Sequence, residues 1–169
     1  MGGSSYYGLN VKDPTDPKFL FQIDPVSGTI KSATSAANTT TANAAIQAMG
    51  QSWSKPTLAK IRFGNSVKKV MIVGGGYDSV YESNTYQPTS VTTASPNKGA
   101  GVYIFDATTG ALLWNVRAGA NNVATTDVKN ANLKYSVVSE IKAFDRDADG
   151  LVDNLYFGDL GGQVFRVDL

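Results

Sequence analysis

Short apolar runs separated by tight-turn residues recur along this chain, and this sequence pattern limits the folds that the chain can adopt. Residues 102–106 and 112–116 flank the turn residues 107–110, and residues 6–11 and 19–23 flank a turn with two prolines. Runs of this length bounded by Gly, Pro, Asp and Ser are typical of strands, and close pairs of them predict β-hairpins. The sequence therefore predicts an all-β protein.

The strand-like runs also repeat in the same order. A run that opens at Trp53 leads to Gly74-Gly75-Gly76, and a run that opens at Tyr135 leads to the glycines of residues 158–162. Tandem four-stranded antiparallel units are the signature of a β-propeller, the alternative being a meander or sandwich with a chance similarity. A propeller needs at least about four blades to close. We therefore predict a partial, quinoprotein-like propeller that is a piece of a longer polypeptide.

This repeat divides the 169 residues into parts of one propeller domain. The first predicted part is the end of a blade at 1–23, and an insertion at 24–52 with a helix-compatible segment at 42–49 follows it. A complete blade is predicted at 53–116 and is interrupted by an insertion at 77–100. A connection at 117–134 then holds a short helical turn, and the start of the next blade at 135–169 has strands at 138–144 and 155–158.

A tight turn with a following tryptophan stands inside the complete blade. Residues 106–114 fit the D-x-x-T-G-x-x-x-W motif of quinoprotein-type propellers, in which Asp106 and Thr109 hydrogen-bond the turn backbone. The motif by itself indicates structure and not catalysis. Aromatic side chains are then predicted to be largely buried between successive sheets, namely Trp53, Phe105, Trp114, Tyr156 and Phe165.

Residues 145–153 combine four aspartates with one glycine at the spacing of a calcium loop. The carboxylates stand at relative positions 1, 3, 5 and 9, and the glycine at position 6, as in an EF-hand. Gly150 allows the positive φ that the turn needs. The predicted Ca²⁺ ligands are the side chains of Asp145, Asp147, Asp149 and Asp153 and the carbonyl of Leu151. The alternative is a solvated acidic turn.

This loop departs from an EF-hand in two ways. Position 12, which supplies a bidentate Glu in EF-hands, is Tyr156, and the flanking residues read as strands instead of helices. We therefore predict an EF-hand-like loop inside a β-hairpin. Asn154, Asp159 or water would fill the vacant coordination positions, and the sequence does not decide among them.

Composition excludes several classes of function. The chain has no Cys and no His, so it lacks thiol chemistry, the commonest transition-metal ligands and the usual general base. A net charge of +1 gives no field that favours nucleic acid, and no apolar run reaches the ~18 residues of a membrane span. We predict a protein that is not an enzyme.

Taken together, these motifs resemble a known family. Residues 51–56, the glycines with Tyr77 and Asp78, the turn at 106–114, the acidic loop and residues 154–169 follow one another as in the C-terminal β-propeller of PilC/PilY-type type IV pilus biogenesis proteins. The resemblance covers nearly the whole chain and is weakest in the three insertions. It implies a secreted factor at the pilus tip, outer membrane or cell surface.

By that resemblance, the partners would be the pilus machinery or minor pilins, and host or abiotic surfaces. The implied activities are support of pilus assembly, control of retraction, twitching motility and adhesion. The resemblance also implies that the calcium loop takes part in the control of pilus extension and retraction. Arg146-Asp147 lacks the glycine that stands between Arg and Asp in an Arg-Gly-Asp integrin motif, and the vicinal cysteines of quinoprotein enzymes are absent. The alternatives are a calcium-stabilised propeller of another exported protein or a quinoprotein-like enzyme.

Overall fold

The computed structural model describes residues 3–122 and 124–169, so Met1, Gly2 and Val123, which fall in the predicted first blade part and connection, lie outside the described residues. Strands dominate the described part. Their bounds are β1 Tyr6–Asn10, β2 Lys18–Asp24, β3 Thr29–Ser32, β4 Thr57–Phe63, β5 Ser66–Gly74, β6 Gly101–Asp106, β7 Leu112–Ala118, β8 Asp127–Asn130, β9 Lys142–Phe144, β10 Asn154–Gly158 and β11 Val164–Asp168. The helices of the described part are α1 Ala44–Gln47 and three short 3₁₀ helices, Ser35–Ala37, Ser79–Glu82 and Pro88–Ser90.

The strands form three sheets. The first sheet has the order β1-β2-β3, the central sheet β4-β5-β6-β7-β8, and the third sheet β11-β10-β9. All neighbours are antiparallel except β7 and β8, which are parallel. The all-β prediction is confirmed. A propeller is not shown, because no ring closes within the described residues and the central sheet has five strands where a four-stranded blade was predicted.

Residues 70–74 of β5 and 101–105 of β6 are buried on both faces of the central sheet, and this explains their apolar runs. Side chains alternate between the two faces of a strand. Met71, Val73, Tyr103 and Phe105 therefore pack in a first core with the first sheet. The intervening residues pack in a second core with the third sheet, namely Val70, Ile72, Val102 and Ile104. The two cores hold the three sheets face to face.

Helix α1 lies in the predicted insertion at 24–52, within its helix-compatible segment. The side chain of Asn43 caps it by accepting a hydrogen bond from the Ala45 amide at 2.8 Å. Ala45 and Ile46 are buried in the first core, which fixes the helix against the first sheet. No helix of the described residues is long and apolar enough to cross a membrane.

Three local predictions need correction. Strand β3 lies inside the predicted insertion, where it pairs with β2 and completes the first sheet. The connection at 117–134 holds strand β8 in place of the predicted helical turn. Only Lys142–Phe144 of the predicted strand 138–144 is a strand. The reason is that the backbone of Val137, the residue before the predicted strand, hydrogen-bonds to Gly99 and Gly76. The chain therefore crosses these two glycines before it joins the third sheet at Lys142.

A cluster of charges holds β8 against β7. The Arg117 guanidinium donates to both carboxylate oxygens of Asp127 at 3.1 Å, and the Lys129 ammonium lies 2.8 Å from the same carboxylate. Partial burial acts to raise the pKa of Asp127, but the hydrogen bonds from Lys129 and Arg117 outweigh it and the pKa is lowered. Arg117 thus joins the two parallel strands, while Lys129 bonds the carboxylate from within β8 itself.

The quinoprotein-like turn forms as predicted. One carboxylate oxygen of Asp106 accepts the amides of Thr108 and Thr109 at 2.9 and 3.0 Å, and the Thr109 hydroxyl accepts the Ala111 amide. These bonds shape the turn that joins β6 to β7.

The predicted burial of aromatic residues is right for one of them. Phe105 is 0% exposed, and Trp114 and Phe165 are half-buried at the edge of the second core. The prediction is wrong for Trp53, which is 42% exposed, and for Tyr156, which is 40% exposed. Trp53 precedes β4 and lies outside any sheet, and Tyr156 lies on the face of β10 opposite to that of buried Leu155.

Candidate metal centre

The acidic loop connects β9 to β10 and is closed at its base by the hairpin. Phe144 and Asn154 are register partners, and the Asp153 amide donates to the Phe144 carbonyl at 3.0 Å. The predicted hairpin setting is therefore present, with no helix on either side.

Inside the loop, the carboxylates order the backbone. Asp145 accepts the Gly150 amide at 2.8 Å, Asp147 accepts the Asp149 amide at 3.2 Å, and Asp149 accepts the Leu151 amide at 2.8 Å. Such bonds from an Asp to the backbone a few residues on are typical of tight turns. Gly150 has φ 86°, as predicted, and Ala148 has φ 61°, a conformation that costs energy for a residue with a Cβ.

Three of the predicted ligands come together. Asp145, Asp147 and Asp149 each offer a carboxylate oxygen, and these oxygens lie within 4.8 Å of one another. Two like charges about 4 Å apart repel by about 1 kcal/mol in bulk water and by more where water is partly excluded. The loop therefore concentrates negative charge that a cation would offset.

One carboxylate oxygen of this group lacks a partner. Oδ1 of Asp145 is buried and accepts no hydrogen bond from a described residue, whereas Oδ2 of the same group bonds Gly150. A buried acceptor without a donor or cation costs about 1–3 kcal/mol, and more when it is charged. The donor set fits a hard cation such as Ca²⁺, because it consists of oxygens without nitrogen or sulfur.

The other predicted ligands have different surroundings. Oδ2 of Asp153 accepts the Arg146 amide at 2.7 Å, and Asp153 is not one of the three grouped carboxylates. The side-chain amide nitrogen of Asn154 donates to the Asp168 carboxylate at 2.6 Å. Asp159 accepts two amides in the turn between β10 and β11, where burial raises its pKa. Ligation by Asp153 and by the Leu151 carbonyl stays a prediction, and water is the better candidate for the remaining positions.

The loop is also attached to its neighbours. The Val152 amide donates to the Lys60 carbonyl on β4 at 2.9 Å, and the Leu169 amide donates to the Asp153 carbonyl at 2.8 Å. The Val152 side chain packs against the second core. The order of the loop is thereby linked to the central sheet and to the end of β11.

Sequence reasoning missed a second group of side chains, in which one tryptophan is exposed and three tyrosines are half-buried. The rings of Trp53, Tyr77, Tyr81 and Tyr86 follow one another in contact, and we call them the aromatic stack. They come from two separate segments without a regular spacing, so no local pattern in the sequence indicates the stack.

The fold and the loop together define an all-β domain of stacked, mainly antiparallel sheets with an acidic hairpin loop at a sheet junction. The chain is homologous to a segment of the type IV pilus biogenesis factor PilY1 of Pseudomonas aeruginosa. It is 27% identical to the protein of strain PAO1 and to that of strain PAK over 168 residues, and 24% identical to that of strain UCBPP-PA14. The resemblance predicted from the sequence is confirmed.

These alignments cover 99% of the chain and 10% of each relative, so the chain spans about a tenth of the length of the curated relatives it matches. The fold is similar to that in the crystal structure of the Pseudomonas aeruginosa PilY1 C-terminal domain, with a TM-score of 0.59 and 23% identity. That match covers 99% of this chain and 25% of the solved chain. No family model matches the sequence.

Proposed function

We propose that this chain is a calcium-binding region of a type IV pilus biogenesis factor, with a role that is not enzymatic. The homology to PilY1 supports the pilus role. The observation that carries the calcium role is the buried, unpartnered Oδ1 of Asp145 beside the carboxylates of Asp147 and Asp149. A divalent cation at this point would satisfy that oxygen and offset most of the negative charge of the three carboxylates.

The proposed site would use Asp145, Asp147 and Asp149 as its first ligands. Asp153 and the Leu151 carbonyl would complete the protein ligands, with water in the positions that remain of the six to eight that Ca²⁺ takes. Mg²⁺ is disfavoured because it demands a tighter octahedron. Without the position-12 Glu, we expect a dissociation constant on the order of 10⁻⁶ to 10⁻⁴ M.

Calcium is expected to stabilise the folded chain by about 2.7 kcal/mol at a hundredfold excess over its dissociation constant. Asp149→Ala removes a ligand and should abolish most of this gain in thermal unfolding measured with calcium and with chelator. Asp13→Ala is the matched control, because Asp13 also accepts an amide two residues on, that of Thr15 at 2.9 Å, in a turn without other grouped acids. Calorimetry without calcium binding up to millimolar concentration would contradict the site.

The proposed biological role follows from the attachments of the loop. Calcium would hold the loop in one shape, and through the Val152–Lys60 and Asp153–Leu169 hydrogen bonds that shape would fix neighbouring segments. We propose that such a region, at the pilus tip or outer surface, supports pilus assembly, retraction control and surface adhesion through pilus machinery or minor pilins.

In the full-length protein, Asp145→Ala or Asp153→Ala is expected to change pilus number or twitching motility without reducing secretion. The physical reason is that a loop without its cation presents a different surface to partners. Piliation would be counted by electron microscopy and motility measured on a surface, with Asp13→Ala as the control. Normal piliation and motility at normal protein level, with the site demonstrably empty, would mean that calcium only stabilises the fold.

The proposed architecture of the whole protein is a propeller in which further sheets pack on both sides of this chain. Apolar side chains on the outer faces support it, since Tyr7 is 63% exposed on the first sheet and Phe144 is 55% exposed on the third. Large exposed apolar side chains on one face mark a contact surface. A structure of the longer protein in which both faces meet solvent would count against this arrangement.

A further inference from the structure

The aromatic stack has one anchored end and one open end. Tyr81 and Tyr86 donate their hydroxyls to Oδ1 of buried Asn97 at 2.9 and 3.3 Å, and Tyr81 also accepts the Ser136 amide. Desolvation raises the pKa of Tyr86 to about 12. These contacts of Tyr81 and Tyr86 hold the segment at 77–99 in place. They do not involve Trp53.

Trp53 forms the open end. Its ring lies 4.2 Å from that of Tyr77 at 16°, so one face of the indole is covered. Its N–H donates to the Gln51 side-chain oxygen at 3.0 Å, which sets the orientation of the ring. Trp53 remains 42% exposed, although Tyr77 covers one face of its ring. The indole is thus fixed in place and is accessible to solvent outside the Tyr77 contact.

A small cavity adjoins Gln51 and Tyr77, the two residues that contact Trp53. It has a volume of about 190 Å³, and its further lining is polar at Ser4, Asp78, Ser79 and Lys98 and not polar at Pro25, Val26, Met49 and Gly50. The Ser4 and Ser79 hydroxyls, the Gln51 amide nitrogen and the Lys98 ammonium form no hydrogen bond with another residue in the described ranges. The volume lies below the roughly 300–1,000 Å³ of pockets for drug-sized ligands, so it suits a single small unit.

We propose that Trp53 and this cavity bind a saccharide. The C–H bonds on one face of a hexopyranose are weakly positive and match the negative face of the indole. Sugar hydroxyls both donate and accept hydrogen bonds, as do the serine and glutamine groups of the cavity. One hexose would stack on Trp53 while a neighbouring unit reaches Gln51, Ser79 and Lys98.

The geometry argues against a proline-rich peptide as the ligand. Such peptides dock in grooves lined by aromatic side chains, with prolines seated between them. Here the first two rings are in contact at 4.2 Å and the next two pairs at 5.7 and 4.8 Å, so no slot for a proline lies between them. The open face of Trp53 is a platform and not a groove.

This inference names a ligand class for the proposed surface adhesion and rests on that proposal for its biological meaning. Binding to the purified chain tests it separately, because it requires neither calcium nor pili. The probes are chitotetraose, cellotetraose and mannotetraose, titrated by calorimetry and by tryptophan fluorescence. We expect at least one of these oligosaccharides to bind and to shift the fluorescence emission of Trp53. Trp53→Ala should weaken that binding about tenfold or more, which is the order of loss when one stacking ring is removed beneath a nucleic-acid base.

Two variants sharpen the test. Tyr156→Ala is the matched control, because Tyr156 is 40% exposed on a different sheet, and it should leave binding unchanged. Trp53→Phe keeps a smaller flat face and should restore part of the affinity, which a merely structural role would not predict. Absence of binding by all three probes at millimolar concentration overturns the proposal, as does equal binding by wild type and Trp53→Ala. Binding of a proline-rich peptide at Trp53 in place of any saccharide overturns the ligand class.

Discussion

Replacing Phe105 with alanine is expected to lower the free energy of unfolding by about 3–5 kcal/mol. Phe105 is 0% exposed near the end of β6, and its ring stacks on that of Tyr103 at 6.3 Å and 13°. Both rings fill the first core between the first and central sheets. Truncation loses this buried area and leaves a cavity that two packed sheets cannot close easily. Urea unfolding with a two-state analysis measures the change.

Phe19→Ala is the control for Phe105→Ala. Phe19 is the same residue type in strand β2 and is 44% exposed, so its truncation removes less buried surface and should cost much less. Similar losses for the two variants would show that the first core does not hold the sheets together as described.

Gly76→Ala is expected to destabilise the fold by about 3 kcal/mol or more, because strain and overpacking add. Gly76 has φ 96°, and a Cβ there would overlap the Gln51 carbonyl oxygen. The Gly76 amide donates to the Val137 carbonyl at 2.9 Å. On its other side, Gly99 packs closely against the Gly76 carbonyl oxygen. Since the obstacles are backbone atoms of separate segments, relief requires several segments to move at once.

Gly64→Ala separates the two contributions to this loss. Gly64 has φ 58° in the turn between β4 and β5, and a Cβ there meets no atom within 4 Å. It should lose only the conformational part, about 1–2 kcal/mol. Thermal unfolding of both variants measures the difference. An equal loss would mean that the close crossing at Gly76 adds nothing beyond its φ.

Local features of the sequence were read correctly. The geometry of the loop at 145–153 is one such case, because the aspartates lie within nine residues and their spacing directs Asp145, Asp147 and Asp149 toward one point, whereas the ligand set stays a prediction. The turn that begins at Asp106 is another, since the hydrogen bonds of the Asp106 carboxylate and the Thr109 hydroxyl lie within six residues. Whether the loop holds calcium is a question that spacing raises and binding experiments decide.

Features that depend on distant segments were read less well. Trp53 was predicted to be buried because aromatic residues near strands usually are, yet its neighbour in space is Tyr77 and its outer face is open. The connection at 117–134 was predicted to hold a short helical turn because it is rich in Asn and Ala. Its residues 127–130 instead form strand β8, because they pair with β7 and Asp127 bonds to Arg117 of that strand.

The sequence by itself determined the strand-rich class, the hairpins and the acidic loop of this protein, because these follow from alternation, turn residues and short-range spacing. The tertiary structure alone decided the stacking of three sheets, the crossing of Val137 over the glycines at 76 and 99, and the exposed aromatic stack. These depend on contacts between segments far apart in the chain, and a local pattern carries no record of which segments meet.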